Sequence, residues 1–203
     1  MFIPKFFIFD KQILDKLADK DDARINFIFQ TIERLKYELK AAGSDLLVKY
    51  DTPESAFIQI LKEYNVASVY ANEDYEPYAR DRDEKINQLL VTNEITFELS
   101  TDHCIFKPGT VVKPDGKPYT IFTPFKNKWL STFSERQHQT ENRPPTSNFF
   151  QISEDLKLPK LDEMGFTVSS RKFPIVDYMG ILQAYSRDRD YPGIEGTSRL
   201  GIH

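Results

Sequence analysis

Near the C-terminus, Gly193-Ile194-Glu195-Gly196-Thr197-Ser198-Arg199 sets two adjacent hydroxyl side chains directly after a glycine, where a helix would begin. A helix N-terminus offers unpaired backbone N–H groups and the positive end of its dipole, so this pattern can hold a phosphate. A plain Thr-Ser helix cap looks the same, and on the residues alone both accounts stand. Other chemistry-bearing residue types are scattered. His103, His138 and His203 show no metal-ligand spacing, and the single cysteine, Cys104, cannot build a thiolate site, so no metal is expected. His103 reads as packing at the start of a strand. GxSxG, GxxxxGK[ST] and GxGxxG are absent, which removes the common hydrolase, P-loop and dinucleotide fingerprints. In the run Arg80-Asp81-Arg82-Asp83-Glu84-Lys85, Asp81 and Lys85 have the spacing of a helical ion pair, which reads as a solvated helix face. Tyr75, Tyr78 and Trp129 read as core aromatics.

The elements that must position these residues alternate in period. Lys5 to Phe9 is a short apolar run closed by Asp10, bounded like a buried strand. From Asp21 the apolar residues Ile25, Ile28, Phe29, Ile32, Leu35 and Leu39 recur at helical spacing, and Gly43 stands at the expected C-terminal cap. Leu46 to Tyr50 is a second strand. Thr52 and Pro53 open a helix carrying Phe57, Ile58, Leu61 and Tyr64. Val66 to Ala71 gives a third strand, a helix runs from near Pro77 through Ile86, Leu89 and Leu90, and Ile95, Phe97 and Leu99 alternate as a fourth strand. The order β-α-β-α-β-α-β predicts an α/β fold, a Rossmann-like doubly wound and mainly parallel sheet, over residues 1–133. Turns at Pro108-Gly109 and Pro114-Asp115-Gly116 precede an aromatic stretch from Tyr119 to Trp129. Residues 134–172, polar and with Pro144-Pro145 and Pro159, read as a long surface connector. Residues 173–203 read as the start of an all-helical domain, with Ile175, Val176, Met179, Leu182 and Tyr185 at helical positions. Both ends look cut, since the chain opens in a strand and closes in the first turn of a helix.

The composition sets outer bounds. The 203 residues carry 27 basic and 31 acidic side chains and are 40% hydrophobic, enough for a packed core and unlike a disordered tail. The first residues lack a basic leader region, and no apolar run approaches the ~20 residues that span a bilayer, so a soluble, cytoplasmic protein without a membrane partner is expected. A net charge of −4 does not advertise a nucleic-acid surface. If DNA is a partner, its binding face is local or lies outside this chain.

The segment Tyr185-x-x-x-Arg189-Asp190-Tyr191-Pro192-Gly193-Ile194-Glu195-Gly196-Thr197-Ser198-Arg199-Leu200 resembles the entry to the FAD site of the photolyase/cryptochrome family. Asn72-Glu73-Asp74-Tyr75-Glu76-Pro77-Tyr78-Ala79-Arg80-Asp81-Arg82-Asp83 and Tyr119-Thr120-Ile121-Phe122-Thr123-Pro124-Phe125-Lys126 resemble two signatures of its N-terminal α/β domain. The likeness runs from about Phe7 to His203. It implies one further strand before this start and a long helical FAD domain after this finish.

The resemblance places Tyr185, Thr197, Ser198 and Leu200 on FAD-contacting positions and Arg189 where members face damaged DNA; a pair with Asp188 or Asp190 is an alternative role for Arg189. Gly201 stands where other members carry serine. Folate-binding members often have Asn-Glu where this chain has Tyr78-Ala79, which leaves the antenna chromophore open between a deazaflavin, another flavin and none. The implied reaction is light-driven electron transfer from reduced FAD to a cyclobutane pyrimidine dimer flipped out of DNA, followed by splitting of the dimer and return of the electron. The implied protein is a monomeric deoxyribodipyrimidine photolyase of which this chain is an N-terminal fragment, with no catalytic residue of its own and inactive alone. A cryptochrome-type photoreceptor without repair activity, and an α/β domain with no cofactor, are the alternatives.

Overall fold

The computed structural model describes residues 5–135, 149, 151–152, 155–171, 178–191 and 193. Strand β1 (Lys5–Asp10) leads into a single helical turn, α1 (Lys11–Leu14), capped by the Asp10 side chain, which accepts from the Gln12 amide at 2.8 Å. Helix α2 (Ala23–Ala41) starts on Asp22, whose carboxylate takes the Arg24 N–H at 2.8 Å. It ends as the sequence predicts, on Gly43 at φ +79°. Strand β2 (Leu46–Asp51) follows, then helix α3 (Pro53–Glu63) with Thr52 as cap and proline in its first turn. Strand β3 (Ser68–Glu73), helix α4 (Pro77–Thr92) and strand β4 (Thr96–Thr101) complete the alternation. The aromatic stretch after Tyr119, for which the sequence suggests no element, forms helix α5 (Phe122–Glu135). Helix α6 (Tyr178–Asp188) stands in the C-terminal region.

Among the described residues both strand pairs are parallel, as the crossover helices require. β1 pairs with β2 in the register Lys5↔Leu46 to Asp10↔Asp51, and β3 with β4 in the register Ser68↔Thr96 to Glu73↔Thr101. Among the described residues these are two separate two-stranded ribbons rather than one continuous sheet.

The period of two along β1 sorts its side chains between two cores. Phe7 and Phe9 point to one, with Leu46 and Val48 of β2 and with Ile25, Ile32 and Leu39 of α2. Phe6 and Ile8 point to the other, with Phe57 of α3, Val69 of β3, and Ile86 and Leu90 of α4. Helices therefore cover both faces of β1. Some periodic positions lie outside either core: Ile28, Ile58 and Leu99 remain exposed. Lys85 turns to Glu54 at 3.8 Å and Arg82 pairs with Asp83 at 2.8 Å, in place of the ion pair expected between Asp81 and Lys85.

The described part of the connector is irregular, with a turn at residues 161–165. It is also part of the first core: Met164 and Phe166 are buried with Phe9 and Ile25. Asn26 holds it from α2, donating to the Thr167 carbonyl at 3.1 Å and accepting the Ser169 N–H at 3.0 Å. The Thr167 N–H donates to the Lys20 carbonyl at 2.9 Å.

Candidate cofactor site

Two regions collect polar and aromatic groups in the manner of a ligand site. The first is the end of α6. Tyr185 is exposed there, and its carbonyl accepts the Arg189 N–H at 3.0 Å, so the backbone bond that closes the helix brings the two residues together. The Arg189 guanidinium lies 6.0 Å from the Tyr185 ring centroid, at the outer reach of a cation–π contact.

The neighbouring charges separate into one tight and one loose pair. Arg187 grips Asp188 through two nitrogens at 2.6 and 2.9 Å, and this bonding holds the Asp188 carboxyl below its ordinary range. Arg189 reaches only Asp190, at 3.7 Å from Nε. Arg189 is thus the less committed cation, standing next to an accessible aromatic ring, and the pair fits an anionic or planar ligand better than Arg187 does. Gly193 forms part of a turn. Thr197, Ser198 and Leu200 lie outside the described residues.

The second region is the carboxyl ends of the strands, where α/β sheets commonly bind ligands. Each strand delivers a polar side chain at its end, and most are already partnered. Tyr78 at the start of α4 donates its hydroxyl to Asp10 at the end of β1; burial and this bond raise the phenol above its ordinary pKa. Ala79 beside it is 3% exposed. Tyr78 and Ala79 are thus tied into the protein itself.

At the end of β2, burial raises the pKa of the Asp51 carboxyl, but this is outweighed by bonds from the Ser55 hydroxyl (2.9 Å), the Thr52 N–H (2.8 Å) and the Gln59 amide (2.9 Å). The carboxyl is held below its usual range. At the end of β3, Glu73 accepts from Thr101 and from Lys107, the latter at 3.2 Å, and these bonds depress its pKa.

A cavity of about 570 Å³ opens beside Glu73, lined among others by Asp74, Tyr75, Arg80, Leu99 and His103. The rings of Tyr75 and His103 meet edge to face at 6.4 Å, and His103 Nδ1 lies 3.9 Å from Asp74. Tyr75, read from the sequence as core, is 55% exposed on this cavity, and His103 shares the wall. Trp129 stacks on Phe133 at 5.1 Å and meets Phe106 at 5.3 Å, which makes it a packing residue. Among the described residues no group of His, Cys, Asp or Glu is placed to hold a metal, and no helix is long and apolar enough to cross a membrane.

The strand-end residues Asp10, Asp51 and Glu73 were not singled out by motif. A usable signal was present, since an acidic residue closes each of the first three apolar strand runs, but it carries no ligand identity without the fold.

Comparison with known proteins assigns the architecture. Residues 2–146 match the family model described as DNA photolyase. The chain is 32% identical over 215 residues to a deoxyribodipyrimidine photo-lyase of Synechococcus, covering 96% of this chain and 43% of that protein. It is 28% identical over 180 residues to the enzyme of the same name from Escherichia coli, covering 82% of this chain and 38% of that one.

Among solved structures, a class III photolyase from Agrobacterium tumefaciens superposes with a TM-score of 0.63 at 15% identity, covering 93% of this chain and 36% of that one. An archaeal photolyase from Sulfolobus tokodaii, solved with two FAD molecules, superposes with a TM-score of 0.53 at 26% identity over 63% of this chain and 28% of that one. The chain spans less than half the length of these relatives. With the parallel strands, the crossover helices and a family match that runs across most of the sequence, the chain belongs to the DNA photolyase family.

Proposed function

We propose that this polypeptide is part of a light-driven, FAD-dependent deoxyribodipyrimidine photolyase that splits cyclobutane pyrimidine dimers in DNA. The supporting observation is the likeness, across nearly the whole chain, to proteins named deoxyribodipyrimidine photo-lyase. Residues 1–133 form the α/β domain, 134–172 the connector, and 173–203 the beginning of the FAD-binding region. Tyr185, Thr197, Ser198 and Leu200 are the residues toward FAD. The exposed Tyr185 ring suits the planar group of a flavin nucleotide, and Arg189 beside it, paired only loosely with Asp190, suits a phosphate of damaged DNA.

When bound, FAD supplies the electron that opens the dimer. The chain's own residues would bind and orient: the Thr197-Ser198 hydroxyls and amides would donate hydrogen bonds to the diphosphate, and Arg189 would face the phosphates of the damaged strand. The working form is a soluble cytoplasmic monomer.

These 203 residues supply only part of a flavin pocket, whereas a bound ligand of this kind is typically ~70–90% enclosed. The test is a titration of FAD into the purified chain and into its full-length parent, each then illuminated with a dimer-containing oligonucleotide. Expected are tight flavin binding and dimer reversal by the parent, and neither by the 203-residue chain. A full-length parent that binds flavin but leaves the dimer intact under light would refute the repair assignment.

A further inference from the structure

Most lysines of the α/β region are committed to a partner. Lys36, Lys40, Lys49 and Lys85 pair with carboxylates, and Lys11 and Lys20 lie over the rings of Tyr50 and Phe166. Residues 107–128 differ. They carry five lysines and a single acidic residue, Asp115, in a chain whose net charge is −4. Lys107 is bound to Glu73 at 3.2 Å. Lys113, Lys117, Lys126 and Lys128 have no ion pair among the described residues, and the last three are exposed.

Exposed apolar groups stand in the same stretch. Ile121 and Phe122 are 67% and 72% exposed, and Phe125 and Leu130 also reach the surface, while Trp129 turns inward onto Phe106. The turn before α5 is closed by the Gly116 N–H on the Lys113 carbonyl and the Lys113 N–H on the Lys117 carbonyl, both at 2.9 Å. Tyr119 then meets Phe125 edge to face at 6.3 Å. Lys117 lies two residues from Tyr119, within about 7 Å of chain, so the turn is held beside the start of the helix. On α5, Phe122, Lys126 and Leu130 recur every four residues and share one stripe, with the cation between the two apolar groups.

That interleaving discriminates among partners. A helix lying in a membrane interface keeps its lysines on the face opposite its apolar one, and Lys126 breaks this rule. An acidic peptide brings carboxylates but no planar groups for an exposed ring. In a duplex the base faces are already stacked on one another. A single nucleic-acid strand alternates phosphates with free base faces and takes cations and aromatic rings side by side.

We propose that the turn at residues 113–117 and the outer face of α5 form a docking surface for single-stranded DNA, with Lys117, Lys126 and Lys128 on phosphates and the Phe122 ring on a base. The negative charge of the chain as a whole is no obstacle, because the uncommitted cations are collected in one place. The surface is separate in sequence from the Tyr185 and Arg189 region, and its preference for DNA over RNA rests on the photolyase reading.

The probe is a fluorescein-labelled oligothymidylate about twelve nucleotides long, titrated with the 203-residue chain and followed by anisotropy at roughly 50 to 200 mM salt. The triple variant Lys117→Gln, Lys126→Gln, Lys128→Gln is expected to weaken binding about tenfold or more. It should also cut the logarithmic salt slope by about 2, since each phosphate contact on a single strand contributes about 0.7. Phe122→Ala is expected to weaken binding about fivefold or more with the slope unchanged. Lys62→Gln, Lys157→Gln, Lys160→Gln is a charge-matched control, built on exposed lysines of α3 and the connector, and should change affinity by about threefold at most. The bound strand should slow amide hydrogen exchange in the first turns of α5, and all variants should keep the far-ultraviolet spectrum of the parent sequence.

No measurable binding, equal losses from the two triple variants, an unaltered affinity in Phe122→Ala, or equal binding of the matching duplex would each overturn the proposal. Tighter binding of oligouridylate, or binding of phosphatidylserine vesicles in place of the strand, would do the same. None of these measurements needs flavin or light, so their failure is distinct from that of a full-length parent that leaves the dimer intact.

Discussion

Asp45, 1% exposed, holds three groups that arrive from different parts of the chain. Its carboxylate receives the Lys36 ammonium at 2.5 Å, the Leu46 N–H at 2.7 Å and the Leu156 N–H at 3.0 Å. α2, the start of β2 and the connector therefore meet on one side chain. A buried pair gains little over a well-packed apolar replacement, yet breaking it strands a charge. Lys36→Ala is expected to cost about 3–5 kcal/mol, read as a lower urea midpoint, because Asp45 would keep its burial and lose its cation. A change within about 1 kcal/mol would show that the carboxylate is satisfied by the two amides alone. Nothing in the sequence distinguished Lys36 from the other lysines on the polar face of its helix. The signal lies in a partner nine residues away that only the turn into β2 brings within reach.

Helix ends show two devices with different physics. At Gly43 a side chain would meet both the left-handed backbone, φ +79°, and Gln151, whose Oε1 would lie 2.5 Å from an added Cβ. The glutamine is exposed and its end is flexible, so the clash is relieved cheaply, whereas the backbone conformation is fixed by the turn into β2. Gly43→Ala should therefore cost about 1 kcal/mol, and adding Gln151→Ala should recover little of it. A full rescue in thermal unfolding would reverse that ranking.

At the start of α3, Asp51 is bonded to Thr52, Ser55 and Gln59, and its carboxyl pKa lies below the unfolded value of roughly 3.9. Between the folded and unfolded values the unfolded chain binds the extra proton, so stability rises with pH there. This contribution is complete above the unfolded pKa and is lost as pH falls through the folded one. Asp51→Asn should flatten the acid limb of stability against pH, and an unaltered limb would assign acid sensitivity to other carboxylates.

The strands and helices around these ends were legible because their apolar periods are long and their caps stand where expected: Thr52-Pro53, Gly43, Pro77. Helix α5 was missed because aromatic residues at Phe122, Phe125 and Trp129 suit either period. Of the candidate site, Tyr185 and Arg189 were named from a motif, but the cavity beside Glu73 joins residues from two strands and a helix, which no local pattern encodes.

At the scale of the whole molecule, the family match ends at residue 146 while the core does not. Met164 and Phe166 are 2% and 1% exposed against β1 and α2. A chain ending at Thr146 would lose both, each worth about 1.5–3 kcal/mol of burial, together with the Asn26 clamp. It is expected to show a loose core, with weakened near-ultraviolet dichroism and dye binding, while retaining helical far-ultraviolet signal. A tightly packed truncated chain would mean that the connector merely decorates a finished domain.

The buried phenylalanine also imposes a timetable on synthesis. The ribosome releases β1 and α2 well over a hundred residues before Phe166, so the apolar faces of Phe9, Ile25 and Ile32 stay wet until late in translation. Contacts this far apart along the chain carry a large loop-closure cost and form slowly. Final packing of the first core is thereby deferred until the connector has emerged, and the nascent chain spends that interval with aromatic surface that a holding chaperone would recognise.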